Sequence, residues 1–97
     1  MKRKNNFPYK EIEYYLNQII EINYLDNSTV QILSKAKAHD CLHVLDQIKK
    51  ENEVKKINKL SDNIIEYLEE IIDINEECCN EKQKKTKEAA QECLLYV

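Results

Sequence analysis

The stretch "INKLSDNIIEYLEEIIDIN", residues 57–75, settles the fold class. Ile57, Leu60, Ile64, Tyr67, Ile71 and Ile74 recur at alternating intervals of three and four, and Cys78 continues the series. Only an α-helix gathers such an a/d series on one side. Ile65, Leu68 and Ile72 widen the apolar face beyond what a single neighbouring helix covers. The stretch therefore predicts a helix inside a bundle, or a homodimer in which the surplus face is shared.

Outside this helix the chain has the same character. It contains no Gly, its one Pro is Pro8, and no segment alternates at period two for the length of a strand. An all-α fold follows: a small bundle of about four helices over 8–25, 29–50, 55–79 and 81–97. Together they form one domain, 1–97, with a short basic arm at 1–6. Pro8 suits the first position of helix 1, where its missing N–H would go unpaired anyway, and Ile12, Tyr15/Leu16, Ile19 and Ile22 make its core stripe. Asp26 and Asn27 favour a turn. Ser28, with Gln31 three residues on, has the form of a capping box opening helix 2. The stripe of helix 2 is Val30, Leu33, Ala38, Cys41, Val44/Leu45 and Ile48. It ends in the polar run "KKENE" at 49–53, the best candidate turn, although no residue there forbids helix. A weak break near Asn80 precedes helix 4, with Ala89/Ala90, Cys93/Leu94 and Val97 inward.

"IEYYLNQIIEIN" (12–23) and "IIEYLEEIIDIN" (64–75) agree at seven of twelve places. Two readings are open. Ile-rich core helices in a biased composition can coincide, or helices 3–4 duplicate helices 1–2 as a second hairpin. Either way, helices 1 and 3 should hold similar, well-buried places.

The charge balance is −3, with a single Arg. Nucleic-acid binding is not expected, because neutralising phosphates needs clustered Lys and Arg. Lys2–Lys4 and Lys82–Lys87 are basic, but an acidic stretch from Glu66 to Glu81 opposes them, and such runs read as solvated faces. Nothing has the length of a signal peptide's apolar core or of a membrane span. The expected location is the cytoplasm, or a host cell's cytosol. Cys41, Cys78, Cys79 and Cys93 are then expected as reduced thiols packed like small hydrophobes. The bias to Lys, Asn, Ile and Glu is that of an AT-rich bacterial, phage or viral genome.

The chemistry-bearing residues are in "AHDCLHVL" (38–45). With Cys41 at the centre of helix 2's buried face, His39 and His43 fall on the opposite side, one turn apart and exposed. Histidines at i and i+4 can share a metal ion. Here the cysteines do not complete a set: Cys41 faces the core, and Cys78 and Cys79 diverge by about 100°. No metal or cofactor is expected. Nor does His39–Asp40 build a hydrolase, since no nucleophile motif accompanies it and no Gly shapes an oxyanion loop.

The segment "AHDCLHVLDQIKKENEVKKINKLSDNIIEYLEEI" (38–71) resembles the dimerisation and phosphotransfer hairpin of quorum-sensing-type histidine kinases of Gram-positive bacteria and the related sporulation phosphotransferase. His39 matches the phospho-accepting His and Asp40 the acid that follows it. His43 matches the Asn/His four later, Leu45 and Ile48 the core, and Glu53 to Ile57 the turn and restart. Ala38 stands where that family usually has Arg, and no ATP-binding domain follows. The resemblance implies a stand-alone phosphotransfer or decoy hairpin using His39, not a kinase.

Absence of catalytic motifs, surplus apolar stripe and six tyrosines favour another function. The leading expectation is a non-catalytic helical protein acting on another protein, as a regulator, inhibitor or adaptor. Tyr9, Tyr14 and Tyr24 lie off the tightest core line and are the candidate contact residues, tyrosine being enriched at interfaces.

Overall fold

A computed structural model of the protein describes residues 7–25, 28–77 and 80–97. Four helices make up the described residues: α1 (Tyr9–Ile22), α2 (Thr29–Lys50), α3 (Val54–Ile74) and α4 (Glu81–Leu94). They form a rod of 43 × 19 × 18 Å. Each helix has two principal neighbours: α1 and α3 both lie between α2 and α4. Cross-links fix the directions. Residues 34, 37 and 41 of α2 meet 75, 70 and 64 of α3, and residues 12 and 23 of α1 meet 93 and 86 of α4. The bundle therefore runs up, down, up, down.

Local chemistry sets the helix ends. Pro8 precedes α1, and its carbonyl accepts the first helical bond, from Ile12 N at 3.1 Å. Ser28 Oγ accepts from Gln31 N at 3.4 Å and donates to the Gln31 side-chain carbonyl, so the expected cap opens α2. Asn80 does the same for α4, its Oδ1 accepting from Gln83 N at 2.9 Å. At the α2–α3 turn, Glu51 Oε2 accepts from the N–H groups of both Asn52 and Glu53 at 3.1 Å. The range expected for helix 2 coincides with α2. Helices 1, 3 and 4 stop sooner than expected, at Ile22, Ile74 and Leu94, and a buried asparagine follows each of the first two. Asn23 Nδ2 turns back to Ile19 O, and Asn75 Nδ2 to Ile71 O, both at 2.7 Å. The side-chain N–H thus shares that carbonyl with the asparagine's own backbone N–H, 3.2 Å away in both cases. Residues 1–6, Asp26, Asn27, Cys78 and Cys79 lie outside the described residues, and with them the basic arm, part of the first turn and the last member of the helix-3 stripe.

One core threads the bundle. Ile12, Leu16, Ile19, Ala38, Cys41, Leu45, Ile48, Ile57, Ile64, Leu68, Ile71, Ala90 and Cys93 are all at most 1% exposed. Each buried Ile or Leu contributes about 1.5–3 kcal/mol. The phase differs from expectation in two helices. On α3 the inward line is Ile57, Ser61, Ile64, Leu68, Ile71 and Asn75, while Leu60, Tyr67 and Ile74 are half-buried flanks. A helix held between two neighbours buries the line between them, which is a and e here rather than a and d. On α2, Leu33 is exposed and Val30 half-buried, and Gln31 and Ser34 face inward instead. The steps 48, 45, 41, 38, 34, 31 hold the helical period. Leu33 falls well over 100° off it.

The two hairpins match far beyond 12–23 and 64–75. The register that sets Ile12 on Ile64 also sets Asn23 on Asn75, Ser28 on Asn80, Gln31 on Gln83, Ser34 on Thr86, Ala38 on Ala90 and Cys41 on Cys93. These pairs share location as well as type: apart from the capping Ser28 and Asn80, every one is buried. The bonds joining the hairpins are paired in the same way. Asn23 Nδ2 donates to Thr86 Oγ1 at 3.0 Å, and Asn75 Nδ2 to Ser34 Oγ at 2.8 Å. The Cys93 thiol points to Ile12 O at 3.7 Å, and the Cys41 thiol to Ile64 O at 3.9 Å. A pseudo-twofold axis along the rod relates α1–α2 to α3–α4.

Candidate functional site

The inward face of α2, from Ser34 to Ile48, is taken up by the core, so its chemistry is on the outside. His39, Asp40 and His43 are all exposed there. Among the described residues none of the three is hydrogen-bonded or ion-paired. Flanking charges are engaged: Lys37 with Glu70 of α3 at 2.9 Å, and Asp46 with Lys50 at 3.1 Å. The structure thus presents two free imidazoles one turn apart. Among the described residues no three His, Cys, Asp or Glu side chains converge on a point that a metal ion would occupy.

Among the described residues, the hydroxyls of Ser34 and Thr86 and the thiols of Cys41 and Cys93 are buried in the core, away from these exposed histidines. Ser34 Oγ accepts from Asn75, and Thr86 Oγ1 donates to Lys82 O at 2.7 Å. Both are fully buried. Cys41 and Cys93 are free thiols in the core. Burial pushes the Cys93 thiol up to about 12 and moves Cys41 in the same direction, with Cys93 adding a smaller share. Both stay protonated at neutral pH, and a protonated thiol is a poor nucleophile.

The three candidate tyrosines do not converge. Tyr9 is half-buried at the start of α1, its ring 5.0 Å from Phe7 and 5.7 Å below Lys49 Nζ. Its hydroxyl is buried without a partner, and that burial raises its pKa. Tyr14 is exposed and meets Tyr15 edge-on at 5.1 Å, while Tyr15 stacks on Tyr96 at 5.9 Å, on the α1–α4 side. Tyr24 is at the other end of α1, with Lys35 Nζ 5.8 Å from its ring and bonded to its carbonyl at 3.0 Å.

Tyr24 has apolar company that the sequence reading did not single out. Leu25 is 84% exposed, Tyr24 65%, Ile32 46% and Leu33 43%. Ile32, Leu33 and Ala36 share the outer side of α2 with His39, Asp40 and His43, Tyr24 meets α2 through Lys35, and Tyr24 and Leu25 border a groove lined by Asn17, Ile20, Glu21 and Lys82. The pseudo-twofold supplies an internal control for this surface. In the register of Ile12 on Ile64, the counterparts of Tyr24, Leu25, Ile32, Leu33 and Ala36 are Glu76, Glu77, Lys84, Lys85 and Glu88. All five are exposed. Equivalent places are therefore charged on one hairpin and uncharged on the other. Such a contrast was readable in the sequence only once the register was carried past residue 23.

No helix among the described residues is long and apolar enough to cross a membrane. No family model, no curated protein and no solved structure matches the chain.

Proposed function

We propose that the protein is a non-catalytic helical bundle that binds another protein through the outer face of α2, serving as a regulator, inhibitor or adaptor. The observation that carries this reading is five exposed uncharged side chains, Tyr24, Leu25, Ile32, Leu33 and Ala36, against five charged ones at the equivalent places. The partner that fits is a protein offering an apolar face to cover the exposed Ile32 and Leu33. Tyr24 is the aromatic anchor of the five, whereas Tyr9 and Tyr14 belong to other faces.

The test is comparative capture of a bacterial, phage-infected or virus-infected host lysate. The double variant Ile32→Lys, Leu33→Lys is expected to keep its helical spectrum and lose a protein that the wild type retains. Lys84→Glu, Lys85→Glu, on the equivalent charged face, is the control and should still retain it. Equal capture by all three chains would sink the proposal.

His39 supports a second reading, phosphotransfer. Its imidazole is exposed and free of partners, with Asp40 adjacent and His43 one turn on, and α2–α3 is an antiparallel hairpin as the histidine-kinase resemblance implies. A neutral ring nitrogen would attack the phosphorus of an aspartyl phosphate, and the carboxylate would leave. Incubation with a phosphorylated response regulator or kinase should then give an acid-labile, alkali-stable label that His39→Ala abolishes. No label from any donor would remove this reading while leaving the binding face untouched.

A further inference from the structure

We infer that the groove between α1 and α4 receives a lysine side chain of a partner protein, whose ammonium bonds to Glu92 and Gln18. It is a different face from the one that carries Ile32 and Leu33, and it stands whether or not those residues bind anything.

The template is inside the molecule, in the α2–α3 groove that the pseudo-twofold relates to this one. There Lys37 Nζ bonds to Glu70 Oε1 at 2.9 Å, and the lysine side chain is only 25% exposed. The bond to Glu70 is the main reason the Lys37 pKa is raised, and Asp40 and Tyr67 add smaller shares. A phenol and two carboxylates therefore surround one ammonium. The register of Ile12 on Ile64 carries the surroundings across but not the lysine. Tyr67 becomes Tyr15, Glu70 becomes Gln18 and Asp40 becomes Glu92, while Lys37 becomes Ala89.

The receiving side is thus present and the cation is missing. Tyr15, Gln18, Ala89 and Glu92 line one open groove, and the small Ala89 leaves room where the lysine stem would lie. At about 350 Å³ the groove is small for a ligand site, which suits a single side chain. Glu88 adds a second carboxylate to the lining, at the place of Ala36. Among the described residues neither Glu88 nor Glu92 is ion-paired. Lys85, exposed at the place of Leu33 and two turns before Glu92, also lines the groove and pairs with neither carboxylate. The rings of Tyr14 and Tyr96 lie 5.1 Å and 5.9 Å from that of Tyr15 and extend its apolar wall. Aromatic carbon beside unpaired carboxylates fits a cation on a methylene stem better than it fits an anion or a purely apolar group.

The experiment titrates the full ¹⁵N-labelled chain with the pentapeptide acetyl-Ala-Ala-Lys-Ala-Ala-amide at low salt, followed by NMR. Exposed charge pairs are weak, so one lysine should bind with Kd on the order of 10 mM. Saturable shifts are expected at the Gln18 side-chain amide, Ala89 and Glu92, fading as salt is added. The same peptide with norleucine in place of lysine should give none. Ala89→Lys roots a lysine where Lys37 stands in the other groove, and should abolish the shifts. Lys37→Ala should open the α2–α3 groove and add a second set of shifts, at Asp40, Tyr67 and Glu70. No saturable shift in the wild type overturns the inference, as do equal shifts with the norleucine peptide or shifts that persist in Ala89→Lys. So does a Lys37→Ala chain that gains no second set. Binding seen only in Lys2→Ala, Arg3→Ala, Lys4→Ala would give the groove to the chain's own N-terminal residues and overturn it as well.

Discussion

Replacing Asn75 with Ala tests the reciprocal polar contacts, and its pseudo-twofold mate Asn23 provides the comparison. Both residues sit near φ −100°, where Ala is unstrained, so the loss comes from the side chain. Each Asn side chain donates to a carbonyl one turn back and to a hydroxyl of the facing helix, and Ala loses both bonds. At about 1 kcal/mol net per bond, each substitution costs about 2 kcal/mol. The hydroxyls left behind are unequal. Thr86 still donates to Lys82 O, whereas the fully buried Ser34 hydroxyl has, among the described residues, no bond but the one from Asn75. Stranding it adds about 1 kcal/mol. Asn75→Ala should therefore cost about 3 kcal/mol, near 15 °C in Tm for a domain of this size, and Asn23→Ala about 2 kcal/mol. Adding Ser34→Ala to Asn75→Ala should recover about 1 kcal/mol, because an apolar pair is better than an orphaned hydroxyl. Urea unfolding followed by circular dichroism measures all four chains, with exposed Asn63→Ala as a control within about 0.5 kcal/mol. The reasoning fails if Asn75→Ala matches the control, or if Ser34→Ala deepens the loss rather than relieving it.

Other sites give sharper contrasts between buried and exposed positions. Ile64→Ala, at the centre of the core, should cost about 3–4 kcal/mol, and His39→Ala less than about 0.5 kcal/mol, by the same unfolding assay. Cys41 and Cys93 should resist iodoacetamide at pH 8 in the folded chain and react in urea. Modification of either native thiol, seen by peptide mass mapping, would contradict their protonated burial. Tyr9→Phe should leave stability unchanged or raise it by about 1 kcal/mol, since the hydroxyl it removes is buried and unpaired. The sign with pH follows from the raised phenol. Above about pH 10 the unfolded chain releases the Tyr9 proton before the folded one does, so stability falls as pH rises. Melting curves across pH 9–11 should show a smaller fall in Tyr9→Phe than in wild type.

How far the sequence could be read depended on whether local chemistry or neighbours decided a position. The all-α bundle and the bounds of α2 were legible because Ser28, Gln31 and the polar run at 49–53 act within a few residues of themselves. The ends of α1 and α3 were not. Nothing local says that Asn23 and Asn75 will bend back to a carbonyl, and the step is favoured because Thr86 and Ser34 receive their second N–H from distant helices. The phase of the core failed for a related reason. Leu33 is apolar and Ser34 polar, so hydropathy alone exchanges them, while the helical period and the waiting Asn75 put Ser34 inside. Of the candidate site, the exposure of His39, Asp40 and His43 followed from one helical wheel anchored on Cys41. Choosing Tyr9, Tyr14 and Tyr24 by residue type could not show that they occupy three separate surfaces.

Reciprocity also separates the positions that packing constrains from those that it leaves open. An inner residue such as Asn23 or Cys41 must suit a partner on the opposite hairpin, and the pseudo-twofold imposes the same demand on Asn75 and Cys93. Those positions agree because packing leaves them little choice, and their agreement says nothing about activity. Outer positions carry no such demand, so where Ile32 and Leu33 stand opposite Lys84 and Lys85 the difference is not dictated by folding. Stability alone would be served equally by charge on both hairpins, and exposed Leu and Ile lower solubility without adding to the core. Ile32 and Leu33 are exposed against that cost, beside His39 and His43, which make no hydrogen bond or ion pair among the described residues.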